Sequence, residues 1–208
     1  DVYKRQVVGN ANNTILNNVV NSAAVSGDSN VGGIVGSATN SAIKDAINTG
    51  TINGSGDNVG GLIGNLQDSK FIEATDTTEE VEKGLIGNSY NLGDVSGKGH
   101  NVGGLVGHAY DATIGDGTNL VYNRLDVTGA YNVGGIVGNM EANSTVKNAE
   151  NSGTVLASGH YGGEYTFHTD YTKDNYSAGG SKTVSVNVAN VGGIAGTSSS
   201  STITDVLN

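Results

Sequence analysis

The 208-residue chain has no cysteine, no proline and no tryptophan, a single methionine and only two phenylalanines. Without cysteine there can be no disulfide stapling and no thiolate metal site, although the compartment stays open. Without large aromatics a core must be thin and built from Val, Ile, Leu and Ala, which suits a narrow stacked coil better than a wide globule. Basic residues are also scarce: 10 Lys and Arg stand against 20 Asp and Glu, a formal net charge of −10. Nucleic acid and anionic membrane both require basic surface and are disfavoured as partners. No apolar run is long enough to cross a bilayer, so no membrane insertion is expected within the sequence.

Glycine, by contrast, contributes 34 residues, against a usual frequency of ~7%. Much of it belongs to one heptapeptide, Asn30-Val31-Gly32-Gly33-Ile34-Val35-Gly36, which returns as Asn58 to Gly64, Asn101 to Gly107, Asn132 to Gly138 and Asn190 to Gly196. Its last glycine falls at Gly9, Gly36, Gly64, Gly107, Gly138 and Gly196, at intervals of 27, 28, 43, 31 and 58 residues. The base period is therefore near 28 residues, and self-similarity on that scale marks a solenoid or array.

Two further elements recur in each unit. One opens on asparagine and ends on glycine: Asn21 to Gly27, Asn48 to Gly54, Asn91 to Gly97, Asn123 to Gly129 and Asn151 to Gly159. The other is a short β-branched stretch around Ile15, Ile43, Ile86, Ile114, Val146 and Ile203. Three apolar segments separated by Gly, Asn, Ser and Asp read as three strands with turns. No window sustains a 3.6-residue pattern, and glycine and β-branched residues lower helical propensity.

Strands wound into coils and stacked at ~4.8 Å pair in parallel with their counterparts one turn on. Ile34, Leu62, Leu105, Ile136 and Ile194 are then expected to form an inner aliphatic column. Asn30, Asn58, Asn101, Asn132 and Asn190 are expected to form an amide ladder at a corner. The few aliphatic side chains of one coil cannot offset the entropy of ordering it, so stability must come from neighbouring coils.

The Asn-Val-Gly-Gly-[Ile/Leu]-[Val/Ile/Ala]-Gly copies resemble the GLUG repeat of large bacterial surface proteins. That repeat occurs in haemagglutinin-like adhesins and outside the catalytic domain of IgA-specific zinc metalloendopeptidases. The resemblance spans nearly all of residues 7–208. It implies an all-β, right-handed parallel β-helix of about six to seven coils, extracellular or cell-surface placement, and a stalk or adhesive role.

The ends read as accidental. Asp1 to Gln6 resembles the translated end of a transposase adapter used for sequencing libraries, so residues 1–6 are expected to be a scar on a metagenomic fragment. Val7-Val8-Gly9-Asn10 matches the repeat tail Ile136-Val137-Gly138-Asn139, and Ile203 to Asn208 has the spacing of Ile43 to Asn48. An interior piece of a longer protein is the expectation.

The two long intervals carry insertions, near 66–83 and 160–187. The first holds Asp68, Glu73, Asp76, Glu79, Glu80 and Glu82. It lacks the tight alternation and glycine turn of a calcium loop and reads as a solvated segment. The second concentrates Tyr161, Tyr165, Phe167, Tyr171 and Tyr176 in a chain otherwise poor in aromatics. Exposed aromatics suit sugar rings and protein partners alike, so these five residues are the candidate ligand contacts. A hairpin, or a degenerate coil that packs its Tyr on the stalk, is the alternative.

Searches for chemistry give little. His160, Glu164, His168 and Asp170 alternate like metal ligands on a strand. Their spacing matches no zinc signature, and His-Glu-x-x-His is absent, so no metal or other cofactor is expected and no peptidase role can be placed on any residue. His100 and His108 fall near turns, where a surface position is the default. No Gly-x-Ser-x-Gly elbow occurs. Asp94 and Asp126 occupy equivalent positions in neighbouring units and stack within reach for acid/base work. Thr51, Thr154 and Ala24 fill that position elsewhere, the variation of a solvent-facing site, so no catalytic residue is assigned.

The reading is a non-catalytic β-helical stalk or adhesion segment of a large secreted protein, with a host glycan or extracellular protein as partner. The alternative is an accessory, substrate-presenting region of a secreted metallopeptidase or carbohydrate-active enzyme. Stacking itself is testable: Leu105→Asp should unfold several coils together in a thermal melt, and a melt indistinguishable from the parent would contradict the stacked column.

Overall fold

In a computed structural model the chain is described over residues 6–68, 85–87, 89–115, 120–158, 163–168, 181–186 and 189–208. It forms a parallel β-helix with four faces per coil. The first face stacks six parallel strands: Val8–Asn12, Val35–Thr39, Ile63–Gln67, Val106–Tyr110, Val137–Glu141 and Ala195–Ser198. The second face includes Ile15–Asn21, Ala42–Asn48, Tyr90–Asn91, Val121–Asn123, Thr145–Asn151 and Thr202–Leu207. The third runs from Val25–Gly27 to Val155–Ala157 and the fourth from Val31–Gly32 to Val191–Gly192.

The sequence suggests three strands per coil, whereas the structure has four. The heptapeptide splits, because the chain bends between Val31–Gly32 and Val35–Thr39. A second correction concerns the first coil. Leu16, not Ile15, stacks on Ile43, and Ile15 is left exposed. From Ile43 onward the β-branched column holds, with Ile86, Ile114, Val146 and Ile203 in register.

Corners are made by asparagine and aspartate in the left-handed region, which these short polar residues tolerate better than others. Asn30, Asn58, Asn101 and Asn132 have φ of 53°, 60°, 62° and 49°. Asn18, Asp45, Asn148 and Asp205 kink the second face at equivalent positions, with φ between 48° and 54°. The expected corner ladder is present: each amide donates from Nδ2 to the Oδ1 of the preceding coil, at 2.9 Å, from Asn190 back through Asn132, Asn101 and Asn58 to Asn30.

The interior holds two separate apolar clusters. The larger lies between the first and second faces and contains Ile34, Leu62, Leu105 and Ile136, with Ile194 packed against it. The expected aliphatic column is thus observed. The smaller, between the third and fourth faces, is made of Val25, Val31, Ile52, Val59, Val95, Val102, Val127 and Val133.

At the waist between the clusters runs a second amide ladder, formed by Asn21, Asn48, Asn91, Asn123, Asn151 and Asn208. Each Nδ2 donates to the Oδ1 of the next coil at 2.7–2.9 Å. The second Nδ2 proton of Asn48 goes to Gly50 O at 2.8 Å, and its Oδ1 also accepts Gly50 N–H at 3.3 Å. Asn91 repeats this with Gly93. The local pair fixes which end of each amide points up the stack, and both donors and two acceptor sites of a wholly buried side chain are filled.

The second glycine of the heptapeptide follows from this ladder. A Cβ on Gly33 would lie 2.6 Å from Asn48 Cγ, and one on Gly104 2.6 Å from Asn123 Cγ and 2.0 Å from Gly135 O. Only glycine lets the opposite wall close on the amide.

The long intervals do not break register. Asn58 and Asn101 are 43 residues apart, and Asn132 and Asn190 are 58 apart, yet each pair bonds as closely as Asn30 and Asn58, which are 28 apart. Leu66 and Gln67 belong to the strand Ile63–Gln67, and Leu66 is fully buried. The coil therefore continues through them. The acidic residues 73–82 lie outside the described residues, as do 1–5.

Replacing Asn91 by Leu should strip partners from Asn48 Nδ2, Asn123 Oδ1 and the Gly93 backbone, at ~1–3 kcal/mol per orphaned buried group. Denaturant unfolding should show a loss of several kcal/mol, while Lys98→Ala at an exposed position should stay within ~0.5 kcal/mol. Equal effects would deny the ladder its role.

Candidate ligand-contact face

Of the five aromatic candidates, two lie on described backbone. Tyr165 and Phe167 fall in the strand Gly163–His168, which pairs antiparallel with Ser181–Val186, so that Tyr165 is opposite Val184 and Phe167 opposite Lys182. These two strands depart from the parallel pattern of the coils. Tyr161, Tyr171 and Tyr176 lie outside the described residues, and so do His160 and Asp170. The backbone puts Glu164 opposite Ser185 and His168 opposite Ser181. Among the described residues no three His, Cys, Asp or Glu side chains gather around a common point.

Asp94 and Asp126 precede Val95 and Val127, which are paired in register, and both are exposed. Asp126 Oδ1 accepts the Thr154 N–H at 3.0 Å, so this carboxylate closes a turn on the following coil.

His108 is not at a turn. It sits within the strand Val106–Tyr110, stacked between Asn65 and Asn139, and is half-buried. Its Nδ1 is 2.9 Å from Asn65 Oδ1. Burial lowers its pKa below 6.5, with Glu141 pulling the other way. His100 is exposed, and its ring stacks on Tyr131 at 4.6 Å.

The side chains that the sequence does not single out are on the second face. One outward column runs Val20, Ile47, Tyr90, Tyr122, Glu150 and Leu207 in register. The rings of Tyr90 and Tyr122 are parallel to within 2°, with centroids 4.6 Å apart, the spacing of the coils themselves. The Arg124 guanidinium lies 4.7 Å from the Tyr122 ring centroid, a cation–π distance. Burial, the neighbouring Tyr90 phenol and the Glu150 carboxylate raise the Tyr122 pKa against the opposing Arg124, so its hydroxyl keeps its proton at neutral pH. Beside Tyr90 a recess of about 260 Å³ is lined by Asn18, Val20, Asp45, Ile47 and Tyr90. A signal for this face exists in the sequence: Tyr90-Asn91 and Tyr122-Asn123 place tyrosine immediately ahead of the ladder asparagine in two successive units.

Among the described residues no helix is long and apolar enough to cross a membrane. Residues 27–53 match the family model described as the GLUG motif. No curated protein and no solved structure matches the chain. The matched stretch is one turn of the stack, running from the end of the strand Val25–Gly27 to Asn53 in the strand Ile52–Gly54 directly beneath it. The motif is therefore the β-helical coil itself.

For a histidine whose pKa is lowered on folding, the unfolded chain binds more protons than the native one below pH 6.5. Stability is then lost as pH falls through that value toward the folded pKa. His108→Asn continues the amide column and should flatten this part of the stability–pH profile between pH 7.5 and 5. A variant slope identical to the parent's would contradict the burial of the neutral ring.

Proposed function

We propose that this β-helical repeat region is a non-catalytic stalk and adhesion segment of a large secreted bacterial protein at the cell surface. Its partner is a host glycan or an extracellular protein. The observation that carries the reading is the unbroken register of both asparagine ladders across intervals of 27 to 58 residues. A scaffold that closes its own hydrogen bonds above and below an excursion can carry contact segments without altering the rod. Ser158 N–H bonds Gly129 O and Asn190 O accepts Val133 N–H, so the coil stands complete on either side of residues 159–188. An acidic surface with few cations keeps such a rod soluble.

Joining Ser158 directly to Ala189 should leave a melting temperature within a few degrees of the parent, since the remaining coil returns to 28 residues. The same deletion should abolish adhesion to host cells or to immobilised matrix proteins. Adhesion unchanged by the deletion would remove the excursion as the contact, and a collapsed melt would show that it belongs to the stack.

A further inference from the structure

The Tyr122–Tyr90 stack stops at Tyr90, although the backbone column goes on through Ile47 and Val20 with the same spacing. Parallel rings in successive coils have their faces along the stack axis. One face of Tyr90 is covered by Tyr122, and the other looks over Ile47, toward the first coils. The recess lies there, lined by Tyr90, Ile47 and Val20 together with Asn18 and Asp45. An isoleucine or valine is shorter than a phenol, so among the described residues no ring fills the outer part of the next stacking position. Asn18 and Asp45 make the polar rim, and their left-handed backbone, φ of 54° and 50°, places this corner where the second face kinks.

We propose that this recess binds a single uncharged sugar ring, the terminal residue of a glycan, stacked on Tyr90 as a further member of the Tyr122–Tyr90 column. A pyranose has the required duality. Its C–H face packs on an aromatic ring and on aliphatic side chains, while its hydroxyls hydrogen-bond to the amide and carboxylate chemistry of Asn18 and Asp45. At about 260 Å³ the recess falls just below the ~300–1,000 Å³ of drug-sized sites, which favours one ring over an extended chain. Asp45 at the rim and a net charge of −10 oppose sialylated or sulphated termini. None of the lining residues belongs to the 159–188 excursion. It rests on the adhesive reading for its biological use but not for its chemistry.

The test is a microarray of neutral oligosaccharides ending in galactose, glucose or N-acetylglucosamine, with their sialylated and sulphated counterparts, probed with the full chain. Neutral termini should bind and the anionic counterparts should not. Tyr90→Ile, a residue this column already holds at Ile47, should keep the parental melt and weaken binding about tenfold, the upper end of one aromatic stacking contact. Tyr90→Phe keeps the ring and should bind within about threefold of the parent. No binding to any neutral glycan, preference for anionic termini, or binding undiminished in Tyr90→Ile would each overturn the proposal. Loss of cell adhesion on deleting residues 159–188 with glycan binding intact would leave both readings standing. Adhesion lost on deletion but glycan binding unaffected by Tyr90→Ile would sink the recess alone.

Discussion

The inner asparagine ladder is the constraint from which the rest of the coil follows. A primary amide has two donors and two acceptor sites, and burying it is tolerable only when they are met. Asn48 and Asn91 meet all of theirs with one backbone pair two residues ahead and one ladder neighbour on each side. Because each rung needs the rung above and below, the ladder cannot exist in one coil. It also requires the opposite wall to come close, which is why a glycine faces each of Asn48, Asn91, Asn123 and Asn151. The division of the interior into two clusters is a consequence, since a continuous polar file at the waist leaves aliphatic side chains on either side.

The two ladders run in opposite senses. At the waist the earlier coil donates to the later, and at the corner the later coil donates to the earlier. Their side-chain dipoles therefore oppose one another instead of adding along the rod. A shift of register by one residue would break both ladders and turn every core side chain outward. Register is thus over-determined at two points of each coil, and this explains how excursions are carried without disturbing the pairing of the coils that flank them.

Much of this was legible beforehand for a physical reason: in a stack, equivalent positions do the same job, so repetition along the sequence is repetition in space. The corner ladder from Asn30 to Asn190 and the column from Ile34 to Ile194 were readable because their residues recur inside one conspicuous heptapeptide. The waist ladder was not, although Asn48, Asn91, Asn123 and Asn151 recur as regularly. Nothing in the sequence distinguishes an asparagine that opens a turn from one that also reaches across the coil. The split of the heptapeptide into two strands was hidden too, since Val31 and Val35 read as one apolar run until the bend at Gly33 is seen. The slip from Ile15 to Leu16 arises because two adjacent aliphatic residues both fit an apolar strand pattern. His108 reads as a surface residue near a turn, whereas it lies within the strand Val106–Tyr110. The Tyr90–Tyr122 pair was outweighed by the denser aromatic cluster in the excursion, and only in-register stacking makes two distant tyrosines neighbours.

The outward columns change in chemical character, whereas an inward column stays apolar even where size varies, as from Ala38 through Leu66 and Ala109 to Met140, so function has to be sought on the former. The account stands or falls on the buried amides. Side-chain amide hydrogen exchange of Asn48, Asn91 and Asn123, followed by NMR with the exposed Asn53 as internal reference, tests them most directly. If the waist ladder holds the coils together, the Nδ2 protons of these three residues exchange only through global unfolding, at a common rate set by the stability of the stack. Exchange as fast as that of Asn53 would mean that the amides are open to water, and the ladder would not be what joins one coil to the next.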